Sequence, residues 1–586
     1  PYLYGRPCPL YTGGIPYSPH SASWREHQGI KIEAKPKPER KEVIITSAIS
    51  VENLDHLGIV AGLVDEIGIV EILNQRLGID PREKVSTGVI VKAMLLNGLG
   101  FVSAPLYLFG QFFQGKATEQ LLGKGVKPEH LNDDRLGNVL DELYAAGLSE
   151  LFLEIGLAAA NKFEVKTEVA HLDSTSFHVD GDYKKPELGV IEITYGYSRD
   201  HRPDLKQFMM NLICVGDGDI PVLMEIASGN QSDKVRFAQL FQDFREQWTF
   251  EGLCVADGAL YSADNLTAMT GLRWLTRVPL SIKAAARLVD EVVELTPSII
   301  KGYSLKESLS EYADIQQRWI LVESEQRAWR VTRPARNSDL KQLAKKIEQY
   351  QKKYLQELQT LSAQEFACAT DALTAAQNLS KTMKWHQLCD LETVEKPHYD
   401  KAGKPRKDAV PTRISHHVTG TVTLLDRELA TQRVRCGRFI LASNVLDSTV
   451  LSADDALREY KAQQGVERGF RFLKDPLFFA DSVFLKSPKR VAALGMIMAL
   501  CLLVYNLGQR QLRQALAQHD ETIPNQLGKP TASPTLRWVF QCFMAVHLVA
   551  FHGVQQVVNL TDERRHILQF FSDACRRYYL LPAPHS

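Results

Sequence analysis

The feature that most constrains the fold is a series of short apolar strands between residues 167 and 280. Their alternating or continuous apolar residues are bounded by Gly, Asp and Pro turns, as is typical of strands. The stretches 232–248 and 262–270 have helical periodicity instead. A three-strand meander followed by a β-α-β-α-β segment predicts an α/β fold with a mixed sheet. The predicted strands are 168–173, 189–197, 207–215, 221–227, 252–256 and 272–278.

The rest of the chain divides by its hydrophobic pattern. At 586 residues it is too long for one core, and about 150 residues per domain suggests roughly three or four units. Leu57, Val60 and Leu63 open a region of helical spacing, and residues 340–379 resemble one long charged helix. We predict a flexible arm at 1–45, a helical domain at 46–165, two parts of the sheet domain at 166–284 and 438–510, a β-rich insertion at 285–437, and a C-terminal helical region at 511–586.

Composition excludes some classes of protein. Lys plus Arg equals Asp plus Glu at 69 each, so any basic DNA-binding footprint must be local. The nine cysteines are scattered with no Cys-x-x-Cys pair, which argues against a disulfide framework and a zinc site. Residues 491–508 carry no charge over a length that could span a bilayer. A buried helix explains them better, and we expect a cytoplasmic protein with no membrane association.

The stretch 460–474 places one acid among cations at helical spacing. In a helix, positions seven apart drift by only about 20°, so Tyr460, Glu467 and Lys474 share a face, with Gln463 and Arg471 beside it. Taken alone, such a face is most often a solvated salt-bridging surface. The alternative is that it meets a phosphate and a metal ion.

Two further acids give this face a partner. Asp173 and Asp257 each follow an apolar strand, and neighbouring strands would bring them together beneath a helix carrying Glu467. A lone Asp after a strand is usually a turn residue or a helix cap. Three converging carboxylates repel one another unless a divalent cation lies between them. All-oxygen ligands favour Mg²⁺ or Mn²⁺, and two such ions about 4 Å apart support phosphodiester chemistry.

These residues carry a family resemblance. The chain resembles the DDE transposases of bacterial insertion sequences, in the group with a Tyr-x2-Arg-x3-Glu-x6-Lys signature. Tyr460, Glu467 and Lys474 match that spacing, whereas Gln463 stands at the Arg position. The blocks 172–175 and 256–262 resemble the first and second acid motifs of the family. The likeness covers about 165–510.

The resemblance implies an RNase H-like mixed five-stranded sheet flanked by helices and interrupted by a β-rich insertion. It further implies two Mg²⁺ ions held by Asp173, Asp257 and Glu467, with Mn²⁺ as a substitute. Tyr460 and Lys474 would contact DNA phosphates. Because an amide lacks the charge of Arg, the contact expected from Gln463 would pass to one of two other residues, Arg468 or Arg471.

The implied activity is DNA transposition, in which transposon ends are cleaved and joined to target DNA. The implied partner is double-stranded DNA, bound as a homodimer at the nucleoid, with terminal repeats recognised by the helical domain. Two alternatives stay open. One is an RNase H-like nuclease without strand transfer, and the other is a domesticated DNA-binding protein that has lost catalysis.

Overall fold

The computed structural model describes residues 49–101, 109–184, 188–197, 202–291, 293–324, 335–400, 410–475, 485–552 and 554–581, without the side chains of 233–235 and 335–338. The described residues belong to one compact unit. The predicted arm at 1–45 lies outside them.

A mainly helical region opens the described chain. Its first helix buries apolar residues around nearly its whole circumference, from Leu57 to Ile67. A later helix begins where the Asn132 side chain accepts a hydrogen bond from the Arg135 amide at 2.9 Å, which caps the helix. The elements are β1 (Ser50–Asn53), α1 (Leu57–Ile67), α2 (Ile69–Leu77), α3 (Thr87–Gly98), α4 (Phe109–Phe112), α5 (Thr118–Leu122), α6 (Asp133–Ala145) and α7 (Leu148–Lys162).

Three successive strands come next, and helices and strands then alternate as the apolar pattern predicts. The elements up to residue 290 are β2 (Val169–Val179), β3 (Lys206–Val215), β4 (Ile220–Ser228), α8 (Asp233–Trp248), β5 (Leu253–Ala256), α9 (Ala263–Ala268), β6 (Arg273–Arg277) and α10 (Lys283–Asp290).

The predicted insertion combines strands with long helices. Leu358, Ala372, Leu388 and Val418 form a small core of its own, which is separate from the main one. The elements are β7 (Thr296–Pro297), β8 (Tyr303–Tyr312), β9 (Ile315–Ser324), α11 (Ala335–Ala363), α12 (Ala369–Thr382), β10 (His386–His398), β11 (Arg413–Leu424) and α13 (Asp426–Arg435).

The last third of the chain returns to the sheet and then to the helical region. Its elements are β12 (Arg438–Ser443), α14 (Ala453–Ala462), α15 (Gln464–Leu473), α16 (Pro488–Gln518), β13 (Ile523–Pro524), β14 (Pro530–Thr531), α17 (Leu536–Cys542), β15 (His547–Phe551), β16 (Val554–Val558), α18 (Asp562–Leu568) and α19 (Asp573–Arg576).

The central sheet is mixed and has nine strands in the order β4-β3-β2-β5-β6-β12-β9-β8-β7. β2, β3 and β4 form an antiparallel meander, and β5 and β6 continue it in parallel with β2. The predicted α/β class is therefore confirmed. The sheet is larger than the five strands expected, because β12 pairs with both β6 and β9 and so joins strands of the insertion to it.

The strand predicted at 189–197 is wrong. Within that stretch Thr194 forms only an isolated bridge to Gln207. The neighbouring strand, β3, is already paired with β2 on one side and β4 on the other. No edge of β3 remains free for another full strand along its length, and the segment stays irregular.

Helix α16 contains the uncharged stretch 491–508. Among the described residues it is the one helix long and apolar enough to cross a membrane, and 94% of its most apolar window is buried inside the protein. Helices α6 and α7 pass the same test only as a pair, bent by 88°. α16 packs against β4 and several helices, including α6, α3 and α15.

The C-terminal region packs against the N-terminal helical region and completes it. β15 pairs antiparallel with β1, with β16 on its other side. Helix α19 packs on α1 so closely that a Cβ at Gly62 would overlap the backbone of Cys575. Residues 511–586 therefore contain strands as well as the predicted helices, and α16 crosses the boundary predicted at 510.

Candidate active site

Two acidic residues lie at the same level of neighbouring strands. The parallel ladder of β2 and β5 ends at the pair Leu172–Ala256, so the next residues are Asp173 and Asp257. This agrees with the adjacency expected from the sequence. The expectation that Asp173 ends its strand is wrong, because β2 stays paired with β3 as far as Val179.

A cation extends this row. The ladder of β5 and β6 ends at Ala256–Thr276, which places Arg277 level with the two acids. Its positive charge opposes the rise in the pKa of the Tyr460 hydroxyl, and its guanidinium lies 5.4 Å from the centre of the Phe439 ring. Sequence reasoning missed Arg277, although it ends a short strand with a buried centre, next to the strand that Asp257 follows.

The stretch 460–474 forms two helices rather than one. α14 and α15 meet at Gln463, and Gly465 weakens helical continuity just beyond it. The Gln463 side chain is buried, with 7% exposed, and its Nε2 donates to the carbonyl of Leu172 at 3.3 Å. This contact holds the joint against β2, and the DNA contact expected of Gln463 stays a prediction.

The three predicted acids line one cavity of about 630 Å³. Asp173 and Asp257 contribute from the sheet, and Glu467 contributes from α15. The Nζ of Lys474, also in the lining, lies 5.7 Å from the centre of the Phe177 ring. The remaining lining residues are Ser174, Thr175, Tyr460, Gln463, Phe470, Arg471 and Asp475.

Arg468 is separate from this group. It does not line the cavity, and its guanidinium lies 3.4 Å from the Asp219 carboxylate in the turn between β3 and β4. Arg471, unlike Arg468, lines the cavity.

Burial and the charged groups around the cavity change the pKa of the Tyr460 hydroxyl. The pKa of its hydroxyl is raised to about 12, mainly by burial and also by the nearby carboxylates of Asp257 and Glu467, whereas Arg277 opposes the rise. The hydroxyl therefore stays protonated at neutral pH. It can donate a hydrogen bond to a phosphate, but it cannot act as a general base.

Backbone amides orient the two sheet carboxylates. Asp173 Oδ1 accepts a hydrogen bond from the Ser174 amide at 2.8 Å. Asp257 Oδ1 accepts one from the Ala259 amide at 2.9 Å, and its backbone carbonyl accepts one from Thr276 Oγ1 at 2.6 Å. Each carboxylate is thus held in a defined direction at the edge of the cavity.

The donor chemistry suits a hard divalent cation, because the acids facing the cavity supply only oxygen. Among the described residues, no three His, Cys, Asp or Glu side chains lie close enough together to hold an ion as they stand. Asp173, Asp257 and Glu467 line the cavity, but their side chains are not close enough in this structure to hold one ion together.

The solved structures that this chain matches include two transposase complexes, both with low overall similarity. One is a cryo-EM structure of a piggyBac transposase synaptic complex with hairpin DNA, at 8% identity and a TM-score of 0.34, covering 80% of this chain and 78% of the other. The second is a Mos1 transposase paired-end complex with left transposon end, at 13% identity and a TM-score of 0.14, covering 29% and 56%. Both scores are too low to support an argument about this chain.

Family models describe most of the sequence, whereas the search of curated proteins found no match. A domain of unknown function, DUF4277, matches residues 49–157, which contain most of the N-terminal helices. The transposase DDE domain matches residues 165–506, which include the cavity and all three acids. Since that match covers more than half of the chain, the protein belongs to the family of transposases with a DDE domain.

Proposed function

We propose that this chain is a DNA transposase that cleaves transposon ends and joins them to target DNA. The observation that best supports the proposal is the shared cavity, to which Asp173, Asp257 and Glu467 contribute in the expected order from strand, strand and helix. The strand order β4-β3-β2-β5-β6 also agrees with the five-stranded core of an RNase H-like fold.

In the proposed reaction, Asp173, Asp257 and Glu467 would hold two Mg²⁺ ions, with Mn²⁺ as a substitute. Bound there, such ions activate an attacking oxygen and stabilise the leaving one. In cleavage, water attacks phosphorus and the bond to the 3′ oxygen breaks, leaving a 3′ hydroxyl. In joining, that hydroxyl attacks a target phosphodiester and releases a target 3′ hydroxyl.

Other lining residues would position the DNA. Arg471 and Lys474 offer positive charge to phosphates beside the scissile bond. Tyr460, which stays protonated at neutral pH, offers a neutral donor. We propose double-stranded DNA as the partner, with two copies of the chain pairing two ends.

Magnesium-dependent cleavage of the element's own end DNA tests this proposal. Asp173→Asn, Asp257→Asn and Glu467→Gln keep the size of each side chain but remove its charge, so each should abolish cleavage while end binding persists. Asp264→Asn is the matched control, because Asp264 is an exposed acid in the first turn of α9, outside the cavity.

Substantial cleavage by any one of the three variants would remove that acid from the proposed site. Joining of the cleaved ends to a target plasmid separates a transposase from a nuclease that only cuts. Binding without any cleavage by the unaltered chain would indicate a DNA-binding protein instead.

A further inference from the structure

The helix that carries Glu467 is packed very closely on its far side. α15 has glycine at 465 and at 469, about one turn apart. A Cβ at Gly465 would overlap the carboxyl group of Asp219, and a Cβ at Gly469 would lie 2.9 Å from Leu502 Cδ2. Only a hydrogen atom fits at 465, so α15 rests directly on the turn between β3 and β4.

That turn is itself firmly held. Asp219 adopts a left-handed conformation with φ of 52°, and its carbonyl accepts a hydrogen bond from Asn506 Nδ2 of α16 at 2.7 Å. Asp217, two residues earlier in the turn, accepts one from Arg510 Nε at 2.6 Å. The turn is thereby fastened to α16, and its carboxylate at 219 pairs with Arg468 on α15.

Glu467 lies on the opposite side of α15 from the two glycines. At about 100° per residue, a position two residues away is turned by about 200°, so the glycines face Asp219 and Leu502 while Glu467 faces the cavity. The depth at which α15 rests on the turn therefore sets how far Glu467 reaches toward Asp173 and Asp257.

We propose that Asp219 is a positioning residue for Glu467, because its carboxyl group supports α15 at Gly465 and pairs with Arg468. The inference rests on the proposed role of Glu467 in the reaction. Burial raises the pKa of the Asp219 carboxyl, opposed by Arg468 and Arg513, which accords with a group enclosed between the turn and the helices.

A pair of substitutions tests the contact. Gly465→Ala adds a methyl group that collides with the Asp219 carboxyl and displaces α15. A displacement of about 1 Å at a reacting group costs on the order of 100-fold in rate, so cleavage at saturating DNA should fall by about that factor. Asp219→Gly removes the obstacle and accepts a positive φ without strain.

Asp219→Gly alone should reduce the cleavage rate by about tenfold, because α15 loses its support. The double variant should recover to that level, so that Ala at 465 is harmful with Asp219 and neutral without it. Asp219→Asn keeps the size of the side chain and should stay within about threefold of the unaltered chain.

Binding of Mn²⁺ to the full chain without DNA, measured by calorimetry, gives a second readout. Gly465→Ala should weaken it and the double variant should regain affinity. Two controls separate positioning from general destabilisation. Gly62→Ala creates a collision with the Cys575 backbone, between α1 and α19 and away from the cavity. Asp264→Asn alters an exposed acid on α9 that lies outside the cavity.

Both controls should retain the cleavage rate and Mn²⁺ affinity even where the melting temperature falls. Unchanged Mn²⁺ binding and cleavage in Gly465→Ala, failure of the double variant to recover, or an equal loss in Gly62→Ala would each overturn the positioning role alone. If the unaltered chain neither binds Mn²⁺ nor cleaves, the proposed function fails, and this inference with it.

Discussion

Replacing Gln463 with Leu distinguishes a positioning role from a DNA contact. The Gln463 amide donates to the Leu172 carbonyl, one residue before Asp173, and its side chain is buried. Leu has a similar size but cannot donate, so the carbonyl loses this partner. We expect the joint between α14 and α15 to open more readily, with the salt dependence of DNA binding unchanged.

The expected magnitude follows from the bond itself. Leaving a buried acceptor without its partner costs about 1–3 kcal/mol. The observed 3.3 Å separation is longer than usual for a hydrogen bond, so the lower end applies. A loss of about 1 kcal/mol makes local opening about fivefold more frequent.

Amide hydrogen exchange of peptides covering 460–475 measures this opening, and it should be about fivefold faster in Gln463→Leu. DNA affinity as a function of salt concentration provides the comparison. Arg471→Gln and Lys474→Gln should each reduce the slope of log affinity against log salt by about 0.9, as expected for one lost phosphate contact. Gln463→Leu should leave the slope of log affinity against log salt unchanged.

The opposite pattern would refute the reasoning. If Gln463→Leu reduces the slope while exchange at the joint stays at its original rate, the side chain contacts a phosphate. The bond to Leu172 would then not be what holds the two helices together.

Three other substitutions test different parts of the molecule. Tyr460→Phe should lower the cleavage rate by about tenfold or more, because it loses a hydrogen bond to a charged group. The pH dependence of the rate between about 7 and 9 should stay the same, because the pKa of the hydroxyl is about 12. A changed pH profile would contradict this. Burial lowers the pKa of His56 to about 4, and its Nε2 donates to the Leu99 carbonyl at 2.8 Å. The unfolded chain therefore takes up a proton at higher pH than the folded one, and about 2 kcal/mol of stability should be lost between about pH 7 and pH 5. His56→Gln should flatten that loss in thermal melts, and an unaltered pH dependence would exclude His56 as its source. Gly62→Ala should lower the melting temperature, at a cost of about 1–3 kcal/mol, by separating α1 from α19, and an unchanged melting temperature would show that the contact yields freely.

The centre of the sheet was predictable because its signals are local. β5 is a buried apolar run, β2 begins with a mainly apolar segment, and β6 has a buried centre. Parallel neighbours put the residues that come next after their paired stretches at one level. Asp173 and Asp257 could be paired on that basis. Arg277 has the same relation to the stretch of β6 paired with β5, but no carboxylate motif drew attention to it.

The parts that were missed depend on contacts between distant segments. The extension of the sheet through β12 and β9 joins segments more than a hundred residues apart, which apolar periodicity does not reveal. The break at Gln463 and the close contact between Gly465 and Asp219 arise where a helix meets a turn. In the sequence, Asp219 looks like an ordinary turn residue.

The pairing of β1 with β15 has a consequence for biosynthesis. The Tyr579 hydroxyl donates to the carbonyl of Asp55, which is 524 positions away, and Gly62 lies under the backbone of Cys575. Because a chain leaves the ribosome from its N-terminus, this surface of α1 is covered only after residues 573–579 have been synthesised. A nascent or truncated chain ending before β15 exposes both an unpaired strand edge and the apolar side of α1, and is the form most exposed to aggregation and proteolysis.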